Sequence, residues 1–205
     1  MMHDIYVIMS LYMVRCFFSP LTGGHFNTAV TLGVFLNKNS KNKINAEKFL
    51  IYIVGQLIGA SIGVAISKLA YDVNTGPFNS QTDYSNKDII VRFFGELIGS
   101  TIFIHMVLIL TTSNTTFINE ECWIHLFVPV FLYGGRKMSK YVDGLNPFEI
   151  IALQIVTSLF SSNGQPIHVA YTLVLALAEF LGALLAGTFF NFIYYPIIVK
   201  WRNQE

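Results

Sequence analysis

Two asparagines, Asn27 and Asn146, stand where side-chain chemistry is best placed in this 205-residue chain. Each follows a glycine-containing turn and opens a short apolar run: Gly23-Gly24-His25-Phe26-Asn27-Thr28-Ala29-Val30 in the first half, Gly144-Leu145-Asn146-Pro147-Phe148-Glu149-Ile150 in the second. Asn before an apolar run is a helix N-cap. At the positive end of a helix an Asn side chain offers hydrogen-bonding chemistry that makes and breaks no covalent bond. Ionisable groups set in apolar sequence include Arg15, His25, Glu96 and His105. Charge is costly in hydrocarbon, so Arg15 is expected to pair with loop carbonyls and Glu96 to accept N–H bonds from a re-entrant loop. A proton relay through His25, His105 and Glu96 is the less favoured reading. Cys16 and Cys122 show no metal-ligand spacing and read as buried thiols. With no nucleophile beside a base, no metal cluster and no phosphate loop, the chain reads as a non-enzyme that needs no cofactor.

The elements that must position the two asparagines follow from hydropathy. Hydrophobic residues make up 53% of the chain and charged residues 12%, with a mean hydropathy of +0.53. This is the composition of a single-domain, multi-spanning membrane protein, and the net charge of +1 gives no reason to expect nucleic acid. The run from Ala29 to Leu36 is far shorter than the about 20 residues a span needs, yet it lies between two hydrophobic segments, so it is expected to be re-entrant. Residues 5–18 predict a short helix leading through Ser19 and Pro20 to the glycine turn. Residues 37–48, with Lys38, Lys41, Lys43 and Lys48, form a basic loop that the positive-inside rule places on the cytoplasmic or matrix-equivalent side. Full spans are expected over 49–71, 89–111, 122–134 with a kink at Pro129, and 168–200. Gly55, Gly59 and Gly63 give the first of these a stripe suited to close helix contact.

Superposing Asn27 on Asn146 makes the halves correspond: a helix, a glycine turn, a half-helix, then a span carrying Gln56-Leu57-Ile58-Gly59-Ala60 or Glu179-Phe180-Leu181-Gly182-Ala183. The half-repeats cover 1–72 and 88–205, with the polar loop 72–88 as their border. Inverted repeats whose half-helices meet at the midplane bind or pass solutes where they meet.

The whole chain resembles the major intrinsic protein family, the aquaporins and glycerol facilitators. Asn27-Thr28-Ala29 is similar to the family's first Asn-Pro-Ala box, and Asn146-Pro147-Phe148 sits where the second belongs. The resemblance implies an all-α membrane fold, an aquaporin-like inverted repeat with two re-entrant half-helices. It also implies that Glu96 braces the second re-entrant loop. Four departures stand out: Thr28 for the first Pro, Phe148 for a small Ala near the meeting point, Glu149 for the filter Arg, and an absent first transmembrane helix, which leaves five spans. Glu149 also fits a capping box, its carboxylate reaching back to the Asn146 N–H. Gly134 falls near the family's filter position on its fifth helix and implies a wider filter.

Two functional readings follow. The favoured one is a degenerate, non-conducting or weakly conducting member, an accessory subunit of a larger membrane assembly whose other subunits cover the flank of the missing helix; Phe148 is expected to pinch the path. The alternative is a passive channel for water or small neutral solutes such as glycerol, with a homotetramer as the resemblance allows. Residues 1–18 lack the features of a secretory signal or transit peptide, and the mitochondrial inner membrane is the expected location.

Overall fold

The computed structural model describes residues 2–40, 43–71, 86–137, 144–160 and 169–204. The described residues form α1 (Met2–Thr22), α2 (Thr28–Leu36), α3 (Ala46–Tyr71), α4 (Asn86–Thr111), α5 (Glu121–Lys137), α6 (Pro147–Phe160), α7 (Val169–Phe189) and α8 (Tyr195–Arg202), with no strand among them. The expected border between half-repeats, most of the loop 72–88, lies outside the described residues.

Among the described residues four stretches are long and apolar enough to cross a membrane: Ile5–Thr22, Ala46–Ala70, Lys87–Thr111 and the 34-residue rod Val169–Arg202. Helix α5, expected as a full span, has 17 residues with Pro129 inside it, is about 25 Å long, falls short of the four candidate crossings, and packs against both α1 and α4. The 9 residues of α2 and 14 of α6 are too short to cross. They enter the bundle instead, α2 against α7 and α3, α6 against α3 and α7.

Helix α1 continues through Pro20 to Thr22, further than residues 5–18 suggested. Gly23 and Gly24 end it, at φ +73° and +63°, a left-handed geometry that side chains resist. The final rod is not one regular helix: residues Phe190–Tyr194 form a π-helical turn between α7 and α8. There Asn191 donates from Nδ2 to Leu36 O at 2.9 Å and to Gly187 O at 2.8 Å. An inserted turn that frees an Asn to satisfy the end of α2 is a use to which π-bulges are suited.

The core lies between α2, α4, α5 and α7, where Phe103, Ile104, Leu108 and Phe190 are fully or almost fully buried together with Ala29, Val30, Leu145, Ala183 and Ala186. Small residues let these helices approach. A Cβ on Gly182 would overlap Ser100 Oγ and lie 2.9 Å from Leu97 O, and one on Gly135 would lie 2.7 Å from Leu145 Cδ1. The other glycine stripe behaves differently. A Cβ on Gly55, Gly59 or Gly63 would meet nothing within 4 Å, so this face of α3 makes no close helix contact within the described chain. Cys122 is exposed and Cys16 partly buried, so the expectation of two buried thiols is corrected. His105 stacks edge-on with Phe189, Phe190 and Tyr194; it belongs to an aromatic cluster at the π-turn rather than to a relay with His25.

Candidate functional site: the meeting point of the half-helices

Asn27 caps α2: its Oδ1 accepts from Ala29 N at 2.9 Å and Val30 N at 3.2 Å. The same side chain reaches across the pseudo-symmetric centre, Nδ2 donating to Leu145 O at 2.5 Å. Asn146 answers from the other side, Nδ2 donating to Phe26 O at 3.2 Å. Each amide therefore ties the end of its own half-helix to the loop of the opposite one, and each amide nitrogen keeps a second hydrogen to offer. The halves are not equal at the cap itself. Pro147 at the first helical position has no N–H, and Asn146 Oδ1 is buried without a hydrogen-bond partner.

Around this centre each loop is held by a side chain from a neighbouring helix. Glu96, wholly buried on α4, accepts from Gly144 N at 3.3 Å and Leu145 N at 3.2 Å. Leu145 has φ 54°, strained for a side-chain-bearing residue, and its side chain lies against Gly99 and Gly135. Charge-assisted bonds to the carboxylate and burial of the leucine hold that geometry in place. In the first half the loop is held differently: Gln56 donates from Nε2 to Thr31 Oγ1 at 2.8 Å and to His25 O at 3.4 Å. Glu179, at the position matching Gln56, is wholly buried beside Glu96.

Two arginines complete the frame. Arg15 of α1 is 4% exposed and donates from Nη1 to Gly24 O at 2.5 Å. Arg136 of α5 donates from Nε to Gly144 O at 2.9 Å and from Nη2 to both oxygens of Glu149, at 3.0 and 3.3 Å. Arg15 thus pairs with a loop carbonyl, and its counterpart is an arginine the sequence showed only as part of a basic cluster. The Glu149 carboxylate is held by Arg136, and the capping box is corrected accordingly: Nη2 alone brings a positive charge and two N–H donors, one for each oxygen, against one neutral donor from the Asn146 N–H.

A cavity of about 650 Å³ opens onto this centre, lined by Asn27, Asn146, Arg15, Arg136, Glu149 and His25 among others. Phe148 does not line it. Its ring sits edge-on to Phe180 at 6.5 Å and faces a neighbouring cavity of about 540 Å³ along Gly55, Gly59 and Gly63. Gly134 is exposed and does not line the 650 Å³ cavity; Leu132 and Arg136 of the same helix do. Thr28 and Ala29 are wholly buried behind Asn27, with Thr28 Oγ1 unpartnered, and Pro147 opens α6. Among the described residues no three His, Cys, Asp or Glu side chains gather as a metal site requires.

Two re-entrant half-helices, capped by asparagine and meeting inside a bundle of crossing helices, define a membrane protein of the aquaporin-like channel fold. The chain belongs to the major intrinsic protein family, whose sequence profile matches residues 2–193. It is 30% identical over 138 residues to a probable aquaporin PIP2-7 of Oryza sativa subsp. japonica, a match that covers 62% of this chain and 44% of the relative. It is 32% identical over 99 residues to a glycerol uptake facilitator protein-like 6 of Lactiplantibacillus plantarum, covering 47% and 44%. These matches span less than half the length of those relatives. The fold is also that of the X-ray structure of the aquaglyceroporin from Plasmodium falciparum, with a TM-score of 0.71 at 18% identity, covering 93% of this chain and 81% of that one.

Proposed function

We propose that the chain acts as a passive channel for water and small polar solutes, with Asn27 and Asn146 as the donors that meet the solute and Glu96 as the brace that holds the second loop. The observation that carries this reading is that both asparagines line one cavity of about 650 Å³ while Phe148 is turned away from it. Each amide has one hydrogen committed to the opposite loop and one to spare, so the pair can present donors without giving up the geometry of the centre. Family membership supports the same reading. The accessory-subunit reading rested on the lost filter Arg, the missing first helix and crowding by Phe148; of these, the Phe148 ring packs against Phe180 and does not line the cavity of the two asparagines.

Osmotic shrinkage of proteoliposomes tests the proposal. Vesicles carrying the full chain should shrink faster than protein-free vesicles, with a second phase of re-swelling when glycerol is the osmolyte. Equal rates with correctly inserted protein would overturn it.

A further inference from the structure

Asn191, in the π-helical turn, ties the start of the basic loop to the final rod. Its Nδ2 donates to Leu36 O and Gly187 O, and its Oδ1 accepts from Lys38 N at 3.1 Å and from Asn39 Nδ2 at 3.3 Å. Both hydrogens and both lone pairs of this amide are thereby engaged. The loop is held at a fixed place on the rod, and the Lys38 ammonium lies over the Phe192 ring, 5.2 Å from its centroid. Between loop and rod runs an open crevice of about 700 Å³. Phe192, Pro196 and Val199 line it along one face of the π-turn and α8, and Lys38, Lys200 and Asn203 add two ammoniums and an amide. Both lysines and Phe192 are exposed. Asn203 donates as well as accepts, and among the described residues no carboxylate lines the crevice.

The rod face passes from Phe192 and Pro196 to Lys200 and Asn203 over about 17 Å, so the crevice is apolar toward the bundle and cationic toward its end. Ile197 and Trp201, on neighbouring faces of α8, are exposed too, as residues that meet lipid near its headgroups are. We infer that this crevice binds an anionic phospholipid, its phosphodiester on the ammoniums of Lys38 and Lys200 and its acyl chain along Phe192 and Pro196. A free phosphate would leave the apolar wall uncovered, and a zwitterionic headgroup would bring its own ammonium against the two lysines. The positive-inside rule assigns residues 37–48 to the side whose leaflet carries anionic lipid, which puts such a ligand within reach. The inference does not depend on whether the chain conducts a solute. It also gives the π-turn a purpose, since Asn191 is what holds Lys38 against the rod.

Native mass spectrometry of the full chain in a mild detergent, titrated with dioleoylphosphatidylglycerol or dioleoylphosphatidylcholine, tests it. One phosphatidylglycerol per chain is expected to bind at least roughly tenfold more tightly than phosphatidylcholine. Lys38→Gln combined with Lys200→Gln should abolish that preference while leaving the melting temperature in lipid-free detergent nearly unchanged, because both side chains are exposed. Lys43→Gln combined with Lys48→Gln removes two exposed charges further along the same basic stretch, outside the crevice, and should keep the preference. Equal affinity for the two lipids, equal losses in the two double variants, or a retained preference in the folded Lys38→Gln, Lys200→Gln protein would each overturn the inference. Displacement of the bound lipid by inorganic phosphate would overturn it as well, by identifying a phosphate site in which the acyl chain has no part.

Discussion

Glu149 and Arg136 form an ion pair at 3.0 Å that places a carboxylate on the half-helix and a guanidinium on α5. Relative to the expectation that the resemblance raises, of an arginine on the half-helix, the positive group enters the cavity from α5. Because Arg136 also holds Gly144 O, the two members of the pair should differ on substitution. Glu149 is 45% exposed and Arg136 22%, so the pair itself contributes under about 1 kcal/mol. Glu149→Gln is expected to leave the melting temperature nearly unchanged, whereas Arg136→Ala also strips the loop carbonyl of its donor and should cost about 1–3 kcal/mol. Thermal unfolding of both variants in the same detergent checks the order, and equal losses would contradict it.

Asn27 serves two structures at once, and its removal should show in both folding and transport. Asn27→Ala loses the cap on Ala29 N and Val30 N and the bond to Leu145 O; caps alone are worth about 0.5–2 kcal/mol. Asn27→Asp keeps an acceptor for the cap and loses the donor. It should therefore retain more stability than the Ala variant while reducing osmotic flux at least as much. A fully active Asp variant would mean that the donor to the solute lies elsewhere.

Much of this centre was legible in the sequence, for reasons that can be named. Asn before an apolar run too short to span has few alternatives to a capped, re-entrant half-helix, and a Glu inside hydrocarbon must find donors. Such signals are local or depend on the cost of burying charge. The Arg136–Glu149 pair was not legible, because it depends on the tertiary approach of α5 and α6 across 13 residues of chain. Nor was the π-helical turn at 190–194: one added residue per turn leaves hydropathy unchanged, and only Asn191 inside an apolar run hints at it. The small-residue stripe of α3 misled in the opposite direction, since glycine spacing reports the capacity for close packing and not the presence of a neighbour.

Glu96 should be harder to replace than its small size suggests. Its two oxygens accept from Gly144 N and Leu145 N, and Glu96→Gln offers one acceptor and turns an N–H₂ toward the second donor. Loss of one charge-assisted bond with a buried donor left unmatched costs about 1–3 kcal/mol. The strained φ of Leu145 should then relax, raising hydrogen–deuterium exchange at residues 144–146 more than at 25–27. Uniform change in both loops would count against a local brace.

The two glycine stripes provide a matched pair of substitutions. Gly182→Ala puts a Cβ onto Ser100 Oγ and within 2.9 Å of Leu97 O, and the backbone atom cannot rotate away. The α4 and α7 helices must separate, at a cost of about 1–3 kcal/mol or more. Gly59→Ala meets nothing within 4 Å and replaces a poor helix former by the best one, for a gain of about 1 kcal/mol. Melting temperatures of the two variants in detergent should move in opposite directions. A clear loss of stability for Gly59→Ala would show that a neighbour packs on α3 in the assembled protein, and native mass after gentle extraction would reveal whether that neighbour is a second copy.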